Sequence, residues 1–77
     1  MAGYLMPLAM ASPGEVVRIA DIRGGRGLTR RLADMGLLPG TVIRVINSQM
    51  RGPVVVEVKG TRLALGHGMA HKILVTR

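Results

Sequence analysis

The sequence contains no cysteine, tryptophan or phenylalanine, and its only aromatic residue is Tyr4. Without cysteine, disulfide bonds and thiolate metal sites are excluded. With so few aromatic side chains, a core must be built from Val, Leu, Ile, Met and Ala. The chain also lacks the stacking rings that binders of single-stranded nucleic acid use.

Acidic residues are scarce as well. Four Asp and Glu stand against eleven Lys and Arg, which gives a formal net charge of +7. Nine of the eleven basic residues are arginine, which favours bidentate contacts to carboxylate or phosphate groups. A surplus of this size attracts acidic partners, whether nucleic acid, anionic lipid or an acidic protein surface.

Long hydrophobic runs are absent. The longest, residues 5–11, has seven residues and is interrupted by Pro7, whereas a membrane-spanning helix needs about 20. We therefore expect a cytoplasmic protein without direct membrane insertion.

The chain of 77 residues is the size of one small domain. A domain near this length buries only about 60% of its unfolded surface, so its core is thin. Self-association is one way in which such a domain gains stability. We expect residues 1–7 to form a disordered or loosely attached leader and residues 8–77 to form the domain.

Short strand patterns recur along the domain, and they predict a mainly β protein: a small barrel of about five strands with one short α-helix between the first and second strands. The clearest is the alternation in which Val54, Val56 and Val58 share one face. The predicted strands are residues 16–22, 42–46, 54–59, 62–65 and 73–75.

The predicted helix ends at Gly36, where a left-handed C-terminal cap needs a residue without a Cβ. Helical spacing places Arg30 and Arg31 on the outer face. The inward stripe consists of Leu28, Leu32 and Met35.

Three segments carry a resemblance to a known family: Pro13-Gly14-Glu15, the run Leu28-x-x-Arg31-Leu32-x-x-Met35-Gly36-Leu37-x-Pro39-Gly40, and Arg62-Leu63-Ala64-Leu65. In order and spacing they resemble ferrous iron transport protein A (FeoA). The similarity covers roughly residues 8–76, and the segment from Met35 to Gly40 is its most specific part.

The resemblance implies an SH3-like fold. It also implies a non-enzymatic cytoplasmic role in ferrous iron uptake, beside the FeoB-type membrane permease that carries a GTP-binding domain. Similar domains form the C-terminal part of iron-dependent repressors. Because no DNA-binding helical domain precedes this one, we expect the free-standing transport version.

The partner-binding surface is predicted to include Arg30 and Arg31 of the helix, Leu38 after it, and Arg62. Leu37 and Leu38 are adjacent in a tight turn, so only one can point into the core; we expect Leu37 to be buried and Leu38 to be partly exposed. The alternative reading of the arginines is an ordinary solvated basic surface.

Two further patterns are weaker. Gly24-Gly25-x-Gly27 lies where a phosphate loop would lie, but no Gly-Lys-Ser/Thr follows it, so a flexible turn is the better interpretation. His67 and His71 are four residues apart, yet no nearby Cys, Asp or Glu completes a metal shell. We therefore expect two solvent-facing histidines and no resident metal or other cofactor.

Catalytic residues are not predicted, because the four carboxylates are scattered and no nucleophile stands beside a base. Two alternatives to the permease-binding function remain at this stage. One is a small basic nucleic-acid-binding barrel, which the lack of stacking aromatics disfavours. The other is a metal-responsive regulatory module, which depends on His67 and His71.

Overall fold

The computed structural model describes residues 5–49 and 51–77, which form one six-stranded antiparallel sheet. The sheet order is β1-β6-β2-β3-β4-β5. The strands are β1 (Met6–Pro7), β2 (Val16–Ile22), β3 (Val42–Ser48), β4 (Val54–Val58), β5 (Thr61–Leu65) and β6 (Ile73–Thr76). The helices are α1 (Gly25–Asp34), between β2 and β3, and α2 (His67–Lys72), between β5 and β6; a 3₁₀ turn (Leu8–Met10) follows β1.

The predicted mainly β fold is confirmed, with one strand more than the five expected and with a sheet that is not closed. The added strand, β1, pairs Met6 with Val75 and Pro7 with Leu74 of β6. It is an edge strand, where a proline is tolerated because its missing N–H faces away from the ladder. Of the predicted leader, residues 1–4 lie outside the described residues.

The core is built from strand alternation, as the valine pattern of β4 predicts. Val54, Val56 and Val58 are all buried, and β2 and β3 contribute residues from alternate positions. Within the described residues the buried set contains no polar or charged side chain. The core members are Leu8, Ala11, Val17, Ile19, Leu32, Leu37, Ile43, Val45, Val54, Val56, Val58, Leu65, Ala70, Ile73 and Val75.

A glycine cap ends α1, as the sequence predicts. Gly36 has φ +86°, its N–H donates to the Ala33 carbonyl at 2.9 Å, and the Leu37 N–H donates to the Leu32 carbonyl at 2.8 Å. This pair of bonds is the Schellman motif, which commonly brings together the apolar side chains at its two ends. Leu32 and Leu37 are both fully buried, so the cap directs the chain after the helix into the core.

The predicted inward stripe of α1 is wrong at Met35. Leu32 is buried and Leu28 partly buried, but Met35 is 38% exposed. Met35 is the C-cap residue, with φ −89° and ψ 0°, so it has already left helical geometry. Helical spacing therefore does not determine the direction of its side chain.

Glu15 ties the start of β2 to the end of the chain. Its carboxylate accepts the Ser12 N–H at 2.7 Å and also the Nε–H of Arg77. Both bonds favour the charged form, first the backbone bond and then the arginine, and hold the pKa of Glu15 below its ordinary value.

We expect Glu15→Gln to reduce the acid sensitivity of the fold. A lowered carboxylate pKa contributes stability that is present above the unfolded pKa, about 4.3, and is lost as the pH falls through the folded pKa. The measurement is the melting temperature between pH 6 and pH 3 (about the range of carboxylate titration). Glu57→Gln is the control, because the Glu57 contact to Arg62 is longer, at 3.7 Å. An acid slope in Glu15→Gln equal to that of the wild type would contradict the assignment.

Candidate partner-binding surface

An open groove of about 670 Å³ runs along α1. Arg26, Arg30 and Ala33 are spaced by four and three residues, so one face of the helix forms one wall. Ile22, at the end of β2, contributes apolar surface at the base. We call this surface the helix groove; its lining residues are Ile22, Gly25, Arg26, Gly27, Thr29, Arg30 and Ala33.

The arginines of the helix groove make no ion pair in the part of the chain that the structure describes. The two ion pairs found there join Arg62 with Glu57 and Arg77 with Glu15. Arg26 and Arg30 are both exposed. Their guanidinium groups are therefore available to an external carboxylate, for which a guanidinium offers bidentate hydrogen bonds.

Of the predicted residues on or after α1, one lines this groove. Arg30 lines it, and Arg31 is exposed next to Arg30 on the same helix without lining it. After the helix, Leu37 is buried and Leu38 is 46% exposed, as the sequence predicts. The reason is the glycine cap, which turns Leu37 inward and leaves the next residue outside.

Arg62 belongs to a different surface. It lies on β5, an edge strand that β4 separates from β3, and its register partner is Glu57. The two side chains also form an ion pair at 3.7 Å. Glu57 alternates with the buried valines of β4, so its pairing places Arg62 on the outer sheet face, and Arg62 does not line the helix groove.

The sequence prediction missed a patch on that outer face, which we call the sheet patch: Val16, Arg18, Val42 and Arg44. In the register of β2 and β3, Val16 pairs with Arg44 and Arg18 with Val42. The two valines are 53% and 49% exposed, so the patch combines two exposed apolar side chains with two arginines. A signal was present in the sequence, since these four residues alternate with the buried positions of both strands.

The two histidines differ from the expectation of two solvent-facing side chains. His71 is exposed, but His67 is partly buried, and their Nε2 atoms lie 3.0 Å apart. Both belong to α2, which forms although Gly68 lies within it; Ala70, fully buried, attaches this helix to the core. Proximity of the two rings therefore follows from their i, i+4 spacing on a formed helix.

The glycine-rich turn before α1 has the structural role that the sequence favours. Gly24 is the N-cap residue, with φ +153°, and a Cβ at this position would come within 2.5 Å of a Leu28 methyl group. Glycine is favoured here mainly because of this positive φ, since the Leu28 methyl group belongs to a flexible side chain that can move.

Two negative findings apply to residues 5–49 and 51–77. They contain no cluster of three or more His, Cys, Asp or Glu side chains arranged to hold a metal ion. None of their helices has the length and apolar character that crossing a bilayer requires.

The comparisons with known proteins agree with the fold. The "Putative Fe(2+) transport protein A" of Methanocaldococcus jannaschii is 42% identical over 71 residues, which are 92% of this chain and 85% of that protein. The crystal structure of an iron uptake regulatory protein (FeoA) superposes with a TM-score of 0.89 at 36% identity, covering 95% of this chain and 97% of the other.

A manganese-dependent transcriptional repressor shares the fold alone. Its TM-score is 0.86 at 20% identity, and the match covers 99% of this chain but only 43% of the repressor. The FeoA domain family matches residues 6–77 of this chain. From that match and the 42% identity, the chain belongs to the FeoA family.

Proposed function

We propose that this protein is a non-enzymatic cytoplasmic accessory of ferrous iron uptake, and that it acts by binding an acidic segment of a FeoB-type permease in the helix groove. The family and the name of the Methanocaldococcus relative support the role in iron transport. The charge and shape of the groove support the binding mode.

The observation that carries the proposal is the combination of Arg26 and Arg30 with an apolar base. Among the described residues both arginines are exposed and form no ion pair, while Ile22 and Ala33, which line the same groove, are partly buried. An acidic amphipathic segment satisfies both features at once. Its carboxylates bind the arginines, and an apolar side chain between them covers Ile22 and Ala33.

Electrostatics in such a contact steers the encounter and selects the partner. The net charge of +7 attracts any acidic surface at long range. Selectivity then depends on the groove, since only a segment with an apolar residue between its acidic residues buries the base. The groove volume, about 670 Å³, lies within the range of about 300–1,000 Å³ that is typical of binding pockets.

Binding of this kind regulates transport without catalysis. A ligand shifts a conformational equilibrium only as far as its affinity differs between the two states. A preference of about 1.4 kcal/mol for one permease conformation changes the ratio of the two states tenfold. An accessory domain of this size is therefore sufficient to bias a transporter.

The test is direct binding between this chain and the FeoB-type permease of the same organism. The permease is reconstituted in nanodiscs of neutral lipid, and the labelled chain is titrated at several salt concentrations. We expect saturable binding that weakens as the salt concentration rises, because the contact includes charge pairs. Failure to bind in any nucleotide state of the permease contradicts the proposal.

The same titration with nucleic acid distinguishes the proposed function from the main alternative, a nucleic-acid-binding function. Random-sequence RNA and duplex DNA replace the permease under identical conditions. We expect weak attraction that disappears at moderate salt, because the only aromatic residue in the chain is Tyr4. Tight nucleic-acid binding without binding to the permease would favour the nucleic-acid function instead.

A further inference from the structure

The ring contact between His67 and His71 has no role in the proposed function. The ring centroids are 4.5 Å apart, the ring planes meet at 75°, and the closest nitrogens are the two Nε2 atoms, at 3.0 Å. Both residues lie on one face of α2. The structure thus brings two imidazole nitrogens together at the surface of the domain.

The ring nitrogens of His67 and His71 differ in their accessibility to an external ligand. The Nδ1 atom of His67 is enclosed and has no hydrogen-bond partner among the described residues. Only Nε2 of His67 therefore remains for an external ligand. His71 is exposed, and its Nε2 lies within hydrogen-bond distance of the His67 Nε2, so a cation that binds both nitrogens replaces the hydrogen bond between them.

The spacing of the two nitrogens matches metal chelation. Imidazole nitrogens bind Zn²⁺ at about 2.0–2.1 Å, so two nitrogens separated by 3.0 Å form an angle of roughly 90° at a shared ion. We propose that His67 and His71 form a chelating site for one late first-row divalent cation: Zn²⁺, Ni²⁺ or Cu²⁺. No third His, Cys, Asp or Glu joins the pair among the described residues, which leaves the other coordination positions to water.

The cation proposed for this site differs from Fe²⁺, the ion transported in the proposed function. Affinities of nitrogen sites for divalent first-row metals rise from Mn²⁺ and Fe²⁺ through Co²⁺ and Ni²⁺ to Cu²⁺, with Zn²⁺ above the early ions. Two imidazoles without a carboxylate therefore bind Fe²⁺ more weakly than its later neighbours.

Metal binding at this site stabilises α2. The two nitrogens lie 3.0 Å apart only when the helix is formed, so an ion that bridges them binds the folded state in preference to the unfolded chain. The helix continues directly into β6, which pairs with β1 and β2. Stabilising α2 therefore also favours the formation of β6 and its pairing with both neighbours.

The test is titration of the full chain, produced without a polyhistidine tag, with ZnCl₂ in an isothermal calorimeter. We expect one Zn²⁺ per chain and a rise in melting temperature with Zn²⁺ concentration. FeCl₂ under anaerobic conditions is expected to bind more weakly. His71→Ala is expected to weaken Zn²⁺ binding by about tenfold or more, because a single imidazole cannot chelate.

The matched control keeps two histidines but separates them. In the double variant His71→Ala/Lys72→His the imidazoles are five residues apart and no longer share a helix face, so tight binding is expected to be lost. Circular dichroism checks that each variant is folded. Equal Zn²⁺ affinity in the wild type and in the double variant overturns the proposal, and so does one Zn²⁺ per two chains with dimerisation.

Discussion

Replacing Leu32 with alanine is expected to destabilise the protein by about 2–5 kcal/mol. Leu32 is the only residue of α1 that is fully buried. The substitution removes methyl groups from a thin core and leaves a cavity that the surrounding strands cannot close. It also removes one side of the apolar contact with Leu37 that accompanies the glycine cap.

Urea denaturation monitored by circular dichroism measures this loss. Leu38→Ala is the matched control, because the same substitution is made six residues later on a side chain that is 46% exposed; we expect a change of about 0.5 kcal/mol or less. If Leu32→Ala leaves too little folded protein, Leu32→Met preserves the volume and is expected to cost less than about 1.5 kcal/mol. Equal stability losses in Leu32→Ala and Leu38→Ala would show that α1 is not held by Leu32.

The strands of the sheet could be predicted because their signal is local. The bounds of β2 agree with the predicted residues 16–22, since Val17 and Ile19 are spaced by two around Arg18 and a glycine-rich turn follows. The predicted strand 54–59 is one residue longer than β4, which ends at Val58, but its three valines spaced by two are buried as predicted. Local alternation fixes which face of a strand is buried without any knowledge of its neighbours.

The strand pairing was not predictable in the same way. β1 has two residues, one of them a proline, and it is a strand only because β6 lies beside it. Whether the sheet closes depends on the relation between its two edges, β1 and β5, which are far apart in sequence. No periodicity within a short segment carries that information.

The positions of two predicted surface residues could be inferred for the same reason. Arg30 lines the helix groove and Leu38 is exposed, and both positions follow from local features, helical spacing and the tight turn. Arg62 was grouped with them by charge alone, but the register of β5 places it against Glu57. The sheet patch was missed because its four residues are adjacent only after β2 and β3 have paired.

Reversing the charges of the helix groove is expected to have the largest effect on partner binding. In the variant Arg26→Glu/Arg30→Glu, two carboxylates replace the guanidinium groups, and we expect binding to the permease to weaken by at least about tenfold. Folding is expected to persist, because both side chains are exposed. Arg26 also lies in the first turn of α1, where a negative charge is favourable to the helix dipole.

A second double variant with the same net charge distinguishes specific contacts in the helix groove from long-range electrostatic attraction. Arg18→Glu/Arg51→Glu also changes the net charge from +7 to +3, but it alters the sheet patch and the loop between β3 and β4. Long-range attraction depends on net charge, so both variants are expected to slow association to a similar degree. Only the groove variant is expected to increase the dissociation rate, because contacts within a formed complex determine that rate. Dissociation rates that rise equally in the two variants, or in neither, would show that the permease does not bind in the helix groove.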